Sequence, residues 1–256
     1  MTPSAARTAR YVRRTLRAAL VPLVVAVQRL AGIITLRIRY AWSTPTAAEV
    51  IANYTRGLVL FGRSGARWAK FEWRSFPMRG VITKETANVP KNLRRIQRQG
   101  EMEVRFDADF EAIIRSCQEG RTGCMWITPA LVDVYREART LGFVSTVGTY
   151  RDGRLVGGLW GIEIGGVFGI MSMFHRESHA GSLAVAALVD AVLNEDRLSV
   201  IDCGVMTPNF DQYGAREIPA EDLCELLRSG LRQKSLVLRR GLRLQLRIVT
   251  RRRLSS

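Results

Sequence analysis

The residue in this 256-residue chain with the strongest claim to chemistry is Asp202. It lies in Ser199-Val200-Ile201-Asp202-Cys203, a short β-rich run that puts one carboxylate near a strand end. A carboxylate there can orient an amine or hold a water, or it can act as a structural acceptor for backbone N–H groups. Cys203 beside it has no histidine nearby in sequence, so a thiol nucleophile would lack its base. Cys117, Cys124 and Cys224 add no metal or redox spacing, and all four cysteines read as reduced, buried thiols. His175 and His179 are four apart with Glu177 between them, whereas the zinc-protease pattern puts Glu directly after the first His. That stretch reads as a solvated loop. No metal site is expected.

The elements that would position Asp202 follow from hydrophobic pattern. Two apolar runs, 155–164 and 167–174, flank Gly165-Gly166, a two-residue hairpin signal. Residues 183–193 then carry Val185, Leu188, Val189 and Val192 at helical spacing. Strand, helix, strand in that order predicts a right-handed crossover and a parallel pair, and such pairs put their sites at the carboxyl ends of the strands. Upstream, 143–150 reads as a strand joined to the first run by a tight turn at Arg151-Asp152-Gly153-Arg154. Thr128-Pro129 opens a helix with Leu131, Val134, Tyr135, Ala138 and Leu141 inward and Gly142 at its end. Residues 107–120 form another, with a stripe of Phe110, Ile113, Ile114 and Cys117 and a cap from Asp107 or Asp109. A short helix over 47–57 puts Val50, Ile51 and Tyr54 on one face.

Two stretches could meet RNA. Trp68, Phe71, Trp73 and Phe76 alternate with Arg67, Lys70, Arg74 and Arg79, a mixture that can stack on bases while holding phosphates. The same pattern also describes a strand pair with aromatic residues inside and arginines outside. Lys91, Arg94, Arg95 and Arg98 share one helix face, suited to an RNA backbone or to plain solvent.

Several ordered motifs carry a family resemblance. Trp126-Ile127-Thr128 followed by Tyr135, Leu155-Val156-Gly157-Gly158, Ser172-Met173-Phe174, Ile201-Asp202-Cys203 and Gly214-Ala215-Arg216-Glu217-Ile218-Pro219 resemble the leucyl/phenylalanyl-tRNA protein transferase family. Tyr54-x-Arg56-Gly57 is a weaker match. The resemblance implies an α+β acyltransferase fold like that of the GCN5-related N-acetyltransferases. It implies an aminoacyltransferase that moves an apolar amino acid of the Leu, Phe or Met type from aminoacyl-tRNA to an amine acceptor such as a protein N-terminus. By the same resemblance Asp202 is the catalytic carboxylate, and Leu159, Phe168, Val185, Leu188 and Ile201 line an apolar pocket. Ser172 joins the substrate site, and Trp126 is a pocket or tRNA-end contact. From the residues alone, the five apolar positions could be ordinary core, and Trp126 a hydrophobic anchor for the helix it precedes. His179-Ala180-Gly181-Ser182 lacks the paired glycines of an acyl-CoA phosphate loop, so no cofactor is expected.

The chain departs from the family at the centre of the site. Met171 stands where the family has Glu, Gly204 where it has Gln, and Val59-Leu60-Phe61 where it has Pro-Trp-Phe. These changes favour a more apolar, roomier site and a different acceptor. Two alternatives stand beside that reading: a silent relative that binds tRNA or a protein N-terminus without turnover, and a small-molecule acyltransferase on the same fold.

Charge sets the outer organisation. The net charge is +16, but residues 1–48 hold eight Arg and no acid, and 228–256 hold ten Lys or Arg and no acid. The centre is therefore close to neutral, and basicity concentrated in tails points to a polyanion, either RNA or an anionic membrane surface. The expected division is a basic amphipathic segment over 1–45, a transferase-like domain over 46–227 and a basic tail over 228–256. Gln28-Arg29 interrupts the early apolar run, which fits an interfacial helix better than a spanning one. A cytoplasmic protein with peripheral membrane contact is the corresponding expectation. In the tail, 242–248 alternates as a strand or surface-bound segment would.

Overall fold

Two pairs of left-handed residues build the centre of the molecule. In the computed structural model, Asp152 and Gly153 have φ of 50° and 76°, and Gly165 and Gly166 have 56° and 85°. Positive φ at both central positions gives hairpin turns whose twist matches that of the flanking strands. They join β5 (Val144–Arg151), β6 (Arg154–Ile164) and β7 (Val167–His175) into the expected antiparallel meander. The structure describes residues 43–64, 70–119, 126–194 and 198–232.

The crossover follows as expected. Helix α5 (Ala180–Asn194) returns the chain to β8 (Val200–Gly204), which pairs parallel with β7. Preceding these are α1 (Ala47–Tyr54), β1 (Leu58–Gly62), β2 (Phe71–Ser75), β3 (Met78–Thr83), α2 (Lys91–Gln99), β4 (Glu103–Phe106), α3 (Phe110–Glu119) and α4 (Pro129–Thr140). Following them are α6 (Pro208–Asp211), β9 (Arg216–Pro219) and α7 (Ala220–Arg232). The main sheet runs β4-β5-β6-β7-β8-β3-β9, and β1 and β2 form a separate pair. Meander, crossover helix and parallel strand make a mixed α/β fold around one seven-stranded sheet.

Helices cover both faces of the main sheet. On one face, α5 contributes Val185, Leu188 and Val192 to a core with Leu159, Phe168, Ile201 and Leu93 of α2. On the other, α1, α3, α4, α7 and the β1–β2 pair pack around Trp160, Ile162 and Tyr135. Local chemistry fixes the helix starts. Thr128 accepts from Leu131 N at 3.3 Å with Pro129 in the first turn, and Asp109, rather than Asp107, accepts from Ala112 N at 3.1 Å.

Three expectations change. Leu141, read as inward, is 51% exposed, because it caps the end of α4 after the buried stripe has finished. The aromatic stretch is divided between sheets. Phe71 and Trp73 are buried in β2, which pairs with β1, while Arg79 belongs to β3 in the main sheet. The boundary drawn at 227 falls inside α7. Trp68, Cys124, the basic segment 1–42 and the alternating stretch 242–248 lie outside the described residues. Among those residues, no helix is long and apolar enough to cross a membrane.

Candidate active site

Asp202 is completely buried on β8, and its strand neighbours explain its surroundings. Successive strand residues point to opposite faces. Ile201 therefore turns into the α5 core, and Asp202 turns to the face that carries α1. Across the antiparallel ladder Asp202 pairs with Val81, and Arg79 sits two residues earlier on β3, on the same face. Arg79 Nε donates to Asp202 Oδ1 at 3.1 Å, and its Nη2 donates to Oδ2, a bidentate pair with Arg79 only 3% exposed.

The third member comes from far away in sequence. A capping box starts α1, with Thr46 Oγ1 accepting from Glu49 N and Glu49 Oε2 accepting from Thr46 N. The helix buries Val50, Ile51 and Tyr54, and Tyr54 Oη at its end donates to Asp202 Oδ2 at 2.5 Å. Gly169, the partner of Asp202 on β7, makes this approach possible, because a Cβ there would lie 1.8 Å from Tyr54 Oη. Gly204 N completes the set, donating to Asp202 Oδ1 at 2.9 Å.

All four acceptor positions of the carboxylate are thus engaged within the protein. Asp202 is a fixed charge that orients its neighbours. Burial, then the Asp202 charge, pushes the Tyr54 hydroxyl well above its ordinary value, so it stays protonated as a donor. Burial likewise raises the Cys203 thiol, which removes it as a thiolate nucleophile. Arg79 Nη1 is buried with no hydrogen-bond partner among the described residues, which leaves one donor of the cluster unspent.

The cluster lies where the sheet opens. The β7–β8 pairing stops at Gly169 and Asp202, although β7 runs on to His175 and β8 to Gly204. Just past this point β7 carries a bulge. Trp160 faces Ser172 and Gly161 faces Ile170, leaving Met171 unmatched. Met171 therefore packs on the Trp160 side with Ser172 next to it, while Ile170 and Met173 pack on the α5 side. A side chain built on Gly204 would meet nothing within 4 Å.

The sheet separates residues that the sequence grouped together. Leu159, Phe168, Val185, Leu188 and Ile201 are brought together, packed under α5. Asp202, Ser172 and Trp126 belong to the opposite face, where the Trp126 ring lies 4.9 Å from Phe61 and 6.3 Å from Trp160. Arg79 is taken from the RNA-facing set and joined to Asp202. Arg74 stays exposed, with its guanidinium 4.6 Å from the Phe61 ring. Lys91, Arg94, Arg95 and Arg98 form the exposed face of α2 as expected. Tyr54 and Gly169 were missed as site residues. The Tyr54-x-Arg56-Gly57 match was the available signal for the first, and no local pattern pointed to the second. Among the described residues, no group of His, Cys, Asp or Glu could hold a metal ion.

Comparison with known proteins bears on this geometry. A family model described as leucyl/phenylalanyl-tRNA protein transferase matches residues 81–228. A leucyl/phenylalanyl-tRNA protein transferase from Chlorobium luteolum is 35% identical over 180 residues, spanning 70% of this chain and 92% of that protein. One from Rubrobacter xylanophilus is 36% identical over 188 residues, spanning 73% of this chain and 95% of that one. Among solved structures, a GCN5-related N-acetyltransferase from Kribbella flavida is similar with a TM-score of 0.37 and 13% identity, covering 56% of this chain and 54% of that one.

Proposed function

Because the chain belongs to the leucyl/phenylalanyl-tRNA protein transferase family, we propose that it moves an apolar amino acid of the Leu, Phe or Met type from aminoacyl-tRNA to an amine acceptor such as a protein N-terminus. The donor is already an activated ester. The amine nitrogen attacks the ester carbonyl, the bond to the ribose oxygen breaks, and one amine proton ends on that oxygen. Such a reaction needs positioning and electrostatics more than a strong base.

The observation that carries this reading is the Tyr54–Asp202–Arg79 cluster at the parting of β7 and β8. With its proton held on Asp202, the Tyr54 hydroxyl oxygen serves as an acceptor for an amine N–H. The spare Arg79 Nη1 donor suits the oxygen of the ester carbonyl. Asp202 acts through both and is a positioning residue. Met171 and Gly204 leave the opening with an apolar side chain and an empty position, which favours an acceptor different from that of relatives with Glu and Gln there. The reaction belongs in the cytoplasm, with the basic segments 1–45 and 228–256 meeting RNA or an anionic membrane.

The test is transfer of radiolabelled leucine, phenylalanine or methionine from charged tRNA to lysate proteins. Label on an acceptor, lost with Asp202→Asn, is the expected result. Charged tRNA that binds without transfer would overturn the catalytic reading and leave a silent binder.

A further inference from the structure

Between α2, α5 and the edge strand β4 lies a cavity of about 280 Å³, away from Asp202 and its partners. Its floor is apolar, made by Met102, Leu183 and Ala187. Its rim carries Arg94, Gln97, Arg98 and Asp190. Gln97 Nε2 donates to Asp190 Oδ2 at 3.3 Å, and Arg94 Nη1 lies 3.8 Å from Asp190 Oδ1. Among the described residues the Gln97 side-chain oxygen has no hydrogen-bond partner, and Asp190 keeps acceptor capacity.

The rim and the helix beyond it ask for different things. Inside, Asp190 and the Gln97 oxygen offer two acceptors over an apolar floor, which favours a flat group with N–H donors, and Arg94 and Arg98 on the same rim offer donors to its acceptors. Outside, Lys91 and Arg95 are exposed and have no ion-pair partner among the described residues, so the helix face favours a row of phosphates. One ligand satisfies both demands: a nucleobase on an RNA strand, with its ring on the floor, its amino edge on Asp190 and Gln97, and its backbone along α2.

We propose that this cavity holds one unpaired base bearing an exocyclic amino group, supplied by the RNA partner, and that uracil, with a single ring N–H and no amino group, is held more weakly. The proposal rests on the reading that this chain binds RNA. The cavity falls just short of the usual range for drug-sized ligands, which suits a single base.

The experiment measures binding of the full chain to fluorescently labelled hexauridine and to the same strand with one central guanosine, adenosine or cytidine, across a salt series. The expected result is a preference of about tenfold for a strand with an amino base. Ala187→Leu, which fills the floor, and Asp190→Asn, which removes the acceptor charge, should each erase that preference and keep the salt slope. Lys91→Gln and Arg95→Gln should weaken all strands alike and lower the slope by about 0.7 each. Thermal melting checks that Ala187→Leu folds, and Asp190→Asn tests the same point without added volume. Salt-dependent binding with no base preference, or a preference that survives both pocket variants, overturns the proposal. Loss of all salt-dependent RNA binding overturns the RNA reading itself, and saturable capture of anionic phospholipid vesicles without RNA binding would reassign the helix face to lipid.

Discussion

Under α5, Leu159, Phe168, Val185, Leu188 and Ile201 are each at most 1% exposed and pack against one another as an apolar cluster. Across the same sheet, Asp202 and Arg79 are buried almost as deeply, and both carry charge. The two faces hold their positions by different physics. The apolar face relies on area and volume, is nondirectional, and tolerates swaps that keep shape. The polar face relies on donors matched to acceptors, and a group orphaned by a substitution keeps its desolvation penalty. Stability can be built from either face, but directed chemistry only from the second.

The strongest way to break this contrast is to remove one partner from each face. Arg79→Ala leaves the Asp202 charge buried and unpaired, at an expected cost of about 3–5 kcal/mol in urea unfolding. Phe168→Ala should cost a similar amount, about 3–5 kcal/mol, through a cavity. The faces separate on repair. Phe168→Leu should recover most of the loss. Arg79→Met with Asp202→Leu should recover stability as well, since a buried pair can be replaced by apolar residues, yet transfer should stay absent. A double variant that folds and still transfers would show that the buried charges serve the fold alone.

Much of this architecture was legible because it is written locally. The hairpins at Asp152-Gly153 and Gly165-Gly166, the Thr128-Pro129 helix start and the crossover into β8 each rest on a few adjacent residues. The separation of the site residues by the sheet is also a local fact, since Ile201 and Asp202 are neighbours and period two sends them to opposite faces. The contacts that make the site are not local. Tyr54 and Asp202 are 148 positions apart. Tyr54 looked like one more apolar position on a helix, and Arg79 like one more cation in an aromatic stretch, because burial is decided by packing between distant segments. Gly169 carries its meaning only through the hydroxyl that fills the space above it.

Gly169→Ala sharpens the comparison at intermediate scale. The new methyl would displace Tyr54 Oη from Asp202, losing a charge-assisted hydrogen bond of about 1.5–3 kcal/mol with most of the transfer activity. Adding Tyr54→Phe removes the oxygen that clashes most and leaves only the ring carbon Cζ, 2.7 Å from the new methyl, to shift. The double variant should therefore be more stable than the sum of the singles, with a coupling of about 0.5–3 kcal/mol. Simple additivity would mean that the methyl is accommodated elsewhere and that Gly169 does not reserve space for the hydroxyl.

The smallest effect separates the faces by pH. Burial holds the hydroxyls of both Tyr54 and Tyr135 above their ordinary values, and both lie on the face opposite α5. Each contributes stability that is whole below about pH 10, where the unfolded tyrosine also keeps its proton. Above it the unfolded chain releases a proton that the native state retains, so stability falls as pH rises, by about 1.4 kcal/mol per pH unit for each such group. Unfolding free energies between about pH 10 and 11 should therefore fall less steeply for Tyr54→Phe and for Tyr135→Phe, by that amount each. Tyr213, in the core under α5, is also raised by burial, but hydrogen bonding to Ser182 opposes the rise, so Tyr213→Phe should change the slope less. If Tyr54→Phe kept the parent slope, the Tyr54 proton would not be held on Asp202, and the donor role assigned to that hydroxyl would fail with it.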